Sequence, residues 1–219
     1  MPLIKGTNIA VEVIPADRKT YAIKVLHDGS VELRIPRHMP VREVETILQK
    51  HRDWIIKASD KQKARFSDTF SDGAKAPLFG QLLTLADSKG NHAYYNEGVL
   101  YLPKNDRVAC LTEIYRKVAK EYLPKRLEQL AAAYGFSYQS VKINSAKTRW
   151  GSCSGKKRIN LSLRTVMLPK ECIDYVLVHE LCHLRHMDHS SAFWNEVEKI
   201  LPDYKKREKR IKESFVILL

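Results

Sequence analysis

The stretch from Pro169 to Leu184, PKECIDYVLVHELCHL, leaves this chain the fewest structural options. Proline at its head presets the φ of a first helical turn. Ile173, Val176, Leu177, Val178, Leu181 and Leu184 then fall on nearly every side of a helical repeat. A helix that is apolar all round is buried. Its second half nevertheless carries His179, Glu180 and His183. Burying two imidazoles and a carboxylate without partners costs several kcal/mol, so the fold must supply something to satisfy them. Histidines four apart stand on one helical face, one turn from each other, where a single ion can bridge them. The spacing is H-E-x-x-H: two neutral imidazoles suit Zn²⁺ and leave coordination positions open, the ion acidifies a water, and Glu180 is placed to take its proton. Satisfied core histidines, or zinc in a purely structural role, are the plainer alternatives.

The third ligand is less constrained. His186 lies another turn beyond the midpoint of the first two on a continuing helix, which is a poor reach at 1.5 Å per residue. His189 can return to the ion if the helix ends soon after His183. A related signature places glycine where this chain has His186. A turn there asks histidine to take the left-handed conformation, which it tolerates better than most residues. Asp188 or Ser190 would then cap a following helix, SAFWNEVEKIL. Glu196 on that helix is the remaining alternative. The order of preference is His189, then Glu196 and His186.

The rest of the chain reads as strands and helices in separate runs. YAIKVLHDGSVELRIP (21–36) alternates on either side of Asp28-Gly29, a hairpin signal. Val44, Ile47, Leu48, Trp54 and Ile55 predict an amphipathic helix over about 41–63, followed by a linker-like stretch over 66–77. Three short strands, as a meander or a hairpin pair, are expected over 78–103. A long helix is expected over 109–135, kinked or broken at Pro124 and stopped at Gly135. Strands follow at about 138–145, 148–153 and 158–165. The pattern change near residue 106 suggests a β-rich N-terminal region with one amphipathic helix (1–105) and a second domain (106–219).

Composition narrows the setting. No apolar run approaches the roughly 20 residues a membrane span needs. The opening Met1-Pro2-Leu3-Ile4-Lys5-Gly6 lacks the marks of a secretory signal, so a cytoplasmic protein is expected. Cys110, Cys153, Cys172 and Cys182 show no paired C-x-x-C spacing and read as reduced packing residues. The net charge is +13, and no acidic residue lies between Glu128 and Glu171, where Lys142, Lys147, Arg149, Lys156, Lys157, Arg158, Arg164 and Lys170 cluster. Such a stretch is either a plain solvated surface or a field that attracts an anionic partner or nucleic acid. Aromatic stacking partners are sparse there, so a dedicated nucleic-acid reader is not indicated.

RWGSCS (149–154), INLSLR (159–164), IDYVLVHELCHLRHMDHSSAFW (173–194) and LPDY (201–204) together resemble the YgjP-like family of zinc metallopeptidases, related to the SprT-like and other zincin proteins. The resemblance covers 109–210 closely and extends to the β-rich N-terminal part. It implies an α+β chain with a zincin-like minidomain: a small sheet backed by helices, His179, His183 and His189 on zinc, and Glu180 as base. The implied reaction is hydrolysis of a peptide bond in a polypeptide substrate. The rival readings are a metal-dependent hydrolase of a non-peptide amide and a nucleic-acid-associated protease of the SprT-like kind. Around the site, the TRWGSCS strand offers an edge for an extended peptide. Trp150, Phe193 and Trp194 read as packing. Arg149 reads as a partner for a buried carboxylate or an oxyanion, and Tyr204 as a phenol within reach of the reaction. Substrate, oligomeric state and the part played by the N-terminal region are left open.

Overall fold

The computed structural model describes residues 4, 6–26 and 29–214, apart from the side chains of 65–68 and 106. Asp28 of the expected turn and most of the opening residues lie outside that range. Two compact units divide at Ser71/Asp72.

In the first unit, strands β1 (Val11–Ala16), β2 (Ala22–Val25) and β3 (Val31–Pro36) form a sheet ordered β1-β3-β2. The expected hairpin is present as the antiparallel β2–β3 pair, but β1 adds to β3 in parallel. Alternation in β3 buries Val31, Leu33 and Ile35 and turns Glu32 and Arg34 outward. Gly29 holds φ +81°, and a Cβ there would lie 2.5 Å from Lys63 and 2.9 Å from Ser59, so the turn needs both a left-handed residue and no side chain. The predicted single helix is two: α1 (Val41–Lys50) and α2 (Arg52–Thr69), parted at His51, with α2 running into the stretch expected as linker. Val44, Ile47, Leu48 and Ile55 close the core over the sheet.

The second unit begins with β4 (Lys75–Leu78), β5 (Gln81–Asp87), β6 (Tyr94–Asn96) and β7 (Val99–Leu102). Their order is β4-β5-β7-β6: the antiparallel pairs β4–β5 and β6–β7 are two hairpins, joined by parallel pairing of β5 with β7 and not continued as a meander. Helix α3 (Arg107–Tyr134) passes through Pro124 without a break and stops at Gly135, where φ is +66°. Its buried stripe, Leu111, Tyr115, Ala119, Leu123, Leu127, Leu130 and Ala131, follows the helical repeat. The Tyr115 hydroxyl donates to the Pro77 carbonyl at 2.7 Å. Contacts of this kind join β4–β7 to the helical unit. The compact boundary therefore falls near 71, upstream of the change in sequence pattern at 105, because that change records a switch in periodicity and not a gap in packing.

A second sheet follows, β8 (Ser140–Asn144), β9 (Gly151–Cys153) and β10 (Arg158–Ser162), ordered β8-β10-β9. It leaves β9 as an edge strand, antiparallel to β10. A buried 3-10 turn over Leu163–Met167 leads to α4 (Lys170–Cys182). Arg126 of α3 grips Asp174 of α4 with two bonds of 2.8 Å. Helices α5 (Ser191–Ile200) and α6 (Tyr204–Glu213) complete the chain. Arg207 of α6 donates to the Glu171 carbonyl at 3.0 Å, tying α6 to the head of α4. Among the described residues, small sheets and six helices make a mixed architecture consistent with the α+β class. No helix among the described residues is long and apolar enough to cross a membrane.

Candidate metal centre

Helix α4 is buried along most of its length, as its apolar composition requires, and it ends at the polar residues. Cys182 is its last helical residue and His183 its C-cap. The amides of Leu184 and Arg185 bond back to Leu181 and Cys182 at 3.0 Å, tightening the last turn. The His186 carbonyl then accepts from His183 Nδ1 at 3.0 Å. That bond fixes the ring and leaves Nε2 of His183 free to act as a ligand. The chain reverses here without a left-handed residue at His186: the positive-φ non-glycine positions among the described residues are Phe79, Glu97 and Lys157. Successive turn and bend residues do what the sequence assigned to one. Ser190 stands at the N-cap of α5 without a side-chain cap bond, and its own amide donates to Asp188 at 3.4 Å.

The reversal brings His189 back to the helix end. The rings of His179 and His183 lie edge to face with centroids 4.9 Å apart, and His189 lies 5.1 and 4.7 Å from them. One nitrogen from each of the three falls within 4.8 Å of the others. Nε2 of His189 is 3.1 Å from Nε2 of His179. A tetrahedral ion with bonds of about 2.0–2.1 Å separates its nitrogen donors by about 3.3 Å, so this spacing suits one. Phe193 of α5, fully buried, stacks on His183 at 4.5 Å and meets His179 and His189 edge-on at 4.9 Å. Trp194 backs His189 at 5.7 Å. Tyr204 is stacked between Trp194 and Tyr175, so its ring serves packing.

The other candidate ligands are engaged elsewhere. Glu196 pairs with Arg185, and His186 Nε2 lies 3.6 Å from the same carboxylate. Arg185 also donates to the Tyr134 and Gly135 carbonyls at 3.2 and 2.9 Å, and its guanidinium sits 4.1 Å over the Phe136 ring. This knot anchors the reversal to the end of α3.

Glu180 occupies a different setting, buried under β9. A Cβ on Gly151 would lie 2.6 Å from Glu180 Oε1 and 2.7 Å from its Cγ, so only glycine lets the strand pass this close. Sequence reasoning missed Gly151, although a glycine within a strand is the signal of such an approach. Burial pushes the Glu180 carboxyl up to about 8 against the opposing pull of Arg149. Burial, and then the charges of His183 and His189, hold His179 down at about 4, so it is a neutral imidazole near neutral pH. Glu180 Oε2 and His179 Nδ1 are buried with no hydrogen-bond partner. Unsatisfied buried polar atoms cost about 1–3 kcal/mol each, and beside three converging imidazole nitrogens they suit a centre that takes an ion and water. The donor set of three nitrogens with no thiolate is one that zinc accepts.

The loop before β9 is fastened from beneath. The Ser162 hydroxyl donates to the Ala146 carbonyl at 2.8 Å, the Ser162 amide to the Trp150 carbonyl at 2.7 Å, and the Thr165 hydroxyl to Trp150 at 3.2 Å. Arg164, also buried, donates to the Lys147 carbonyl and lies 5.6 Å over the Trp150 ring. Lys147, Thr148 and Arg149 are left with exposed side chains.

Residues 19–214 match the family described as YgjP-like, metallopeptidase domain. The chain belongs to the YgjP-like family. It is a metallopeptidase. Among solved structures, the metallopeptidase zymogen of Pyrococcus abyssi abylysin is 34% identical, covers 42% of this chain and 92% of its own, and superposes with a TM-score of 0.39. The metallopeptidase zymogen of Methanocaldococcus jannaschii jannalysin is 20% identical, with coverage of 42% and 96% and the same TM-score of 0.39. No curated protein matches.

Proposed function

We propose that this YgjP-like metallopeptidase hydrolyses peptide bonds with zinc held by His179, His183 and His189 and with Glu180 as general base. The observation that carries the reading is the convergence of three imidazole nitrogens within 4.8 Å beside a buried carboxylate oxygen that has no partner. Zinc in such a nitrogen site supplies a Lewis acid and lowers the pKa of a water at its open position. Glu180, adjacent in sequence to His179 and held by the Gly151 contact, takes the proton from the attacking water and passes it to the leaving amine. Phe193 and Trp194 keep the three rings in place and exclude bulk water from their backs. The backbone edge of β9 gives an extended substrate a strand to pair with above Glu180. Unpaired thiols at Cys110, Cys153, Cys172 and Cys182 favour a reducing, cytoplasmic setting for the reaction.

The test is metal removal and replacement. Protein stripped with a chelator is expected to lose peptide hydrolysis completely, and one equivalent of zinc to restore it, with metal content measured alongside turnover. Full activity in protein shown to be free of metal would overturn the proposal.

A further inference from the structure

Apart from the pull of Arg149 on Glu180, the cations around β9 have no role in the chemistry above, yet their placement is specific. Lys147 and Arg149 precede the strand, and Lys156 and Lys157 form the turn that follows it. All four side chains are exposed. None of the four forms an ion pair among the described residues, whereas Arg185, Arg207 and Arg210 elsewhere in the unit each meet a carboxylate. Two other cations of the acid-free stretch are used internally: Arg158 donates to Gln139 at 2.9 Å, and Arg164 is buried under the loop. The turn is closed by bonds of 3.0 Å from Ser154 to the Arg158 carbonyl and 2.8 Å from Lys157 to the Ser154 carbonyl. The loop before the strand is pinned by Ser162, Arg164 and Thr165. Both basic segments are therefore held in fixed backbone shapes at the two ends of one free strand edge, and no acidic residue interrupts the sequence from 129 to 170.

A merely solvated basic surface does not need a buried arginine to hold its backbone. From this bracket of cations around an edge strand that crosses Glu180, we infer that the enzyme selects polypeptide segments carrying acidic side chains on both sides of the bond to be cut. The inference rests on the proposed reading of the metal centre. A strand paired with β9 carries its flanking residues past Lys147 and Arg149 at one end and past Lys156 and Lys157 at the other. Exposed ion pairs are individually weak, so the selection comes from several acting together and is screened by salt. It acts on binding of the substrate and so on KM.

The test uses the full zinc-loaded chain and three matched fluorogenic peptides that differ only in flanking Glu, Gln or Lys. At low ionic strength the Glu peptide should exceed the Lys peptide in kcat/KM by roughly three- to tenfold, mostly through KM, with the ratio collapsing at high salt. The triple variant Lys147→Glu, Lys156→Glu, Lys157→Glu should reverse the order while retaining its zinc. Equal kcat/KM for the three peptides would overturn the selection and leave the peptidase reading intact. Binding of the same peptides to the Glu180→Gln variant, followed by fluorescence anisotropy, separates the two claims. Preferential binding of the Glu peptide with no cleavage by the parent enzyme would uphold the acidic site and count against the proposed chemistry. Equal binding of all three overturns the inference whatever the parent enzyme does. So does displacement of a bound single-stranded oligonucleotide by none of them, which would assign the cations to nucleic acid.

Discussion

Glu180 and Glu196 both lie close to the histidine cluster, and their surroundings are opposite. Glu180 is roofed by β9, is approached to van der Waals limits by Gly151, and has an oxygen with no partner. Glu196 faces the reversal between α4 and α5 and is occupied by Arg185 and His186. One is kept buried and unsatisfied, which raises its proton affinity; the other is neutralised by neighbours and serves to hold a turn. Unpartnered burial is costly, and buried groups with shifted proton affinity cluster at functional sites. Ion pairing carries no such implication, which is why the structure separates the two more sharply than their nearness to histidines does.

That contrast can be broken at both ends. Glu180→Gln keeps the shape and removes the proposed base, so turnover should fall by about 10²- to 10⁴-fold with zinc content unchanged by metal analysis; unimpaired turnover would remove Glu180 from the proposed mechanism. Gly151→Ala drives a methyl group into the same carboxylate. Turnover should fall by about tenfold to a hundredfold, with a loss of about 1–3 kcal/mol in unfolding free energy from overpacking. Added to Glu180→Gln, the alanine should cost little further activity, since both changes act on one group; additive losses would mean that Gly151 matters for another reason. Glu196→Gln should be mildest. A direct partner of a ligating imidazole is worth about 10- to 100-fold in metal affinity. The His183 ring is held by a backbone carbonyl instead, so competition with a chelator should register a change below about tenfold. A larger loss would make Glu196 part of the metal's support and erase the contrast.

The two helix residues that converge at the centre, His179 and His183, were legible because helix geometry is local. The four-residue step from His179 to His183 makes about one turn whatever surrounds it, and an apolar helix interrupted by three polar groups advertises that they are used. His189 was legible as a candidate but its route was not. The expected left-handed His186 is replaced by a tightened turn held by Arg185 on the end of α3, more than fifty residues away in sequence. Gly151 was overlooked because a glycine announces a close approach without naming what approaches. The strands tell the same story. Alternation in β3 marked which side chains turn inward, but the parallel partners of β3, β7 and β10 were not readable, since period-two patterning identifies a face and says nothing of the neighbouring strand.

By itself the sequence determined what local backbone geometry can express: the buried helix, the pair of imidazoles on its face with Glu180 beside them, the positive-φ glycines and the uninterrupted positive charge. Tertiary structure alone decided what each of these meets. It paired Glu196 with Arg185, set Gly151 against Glu180, and laid two pinned basic segments at either end of one strand edge. Those contacts join residues beyond the reach of one helical or strand repeat, and their energies depend on burial and distance that no local pattern encodes.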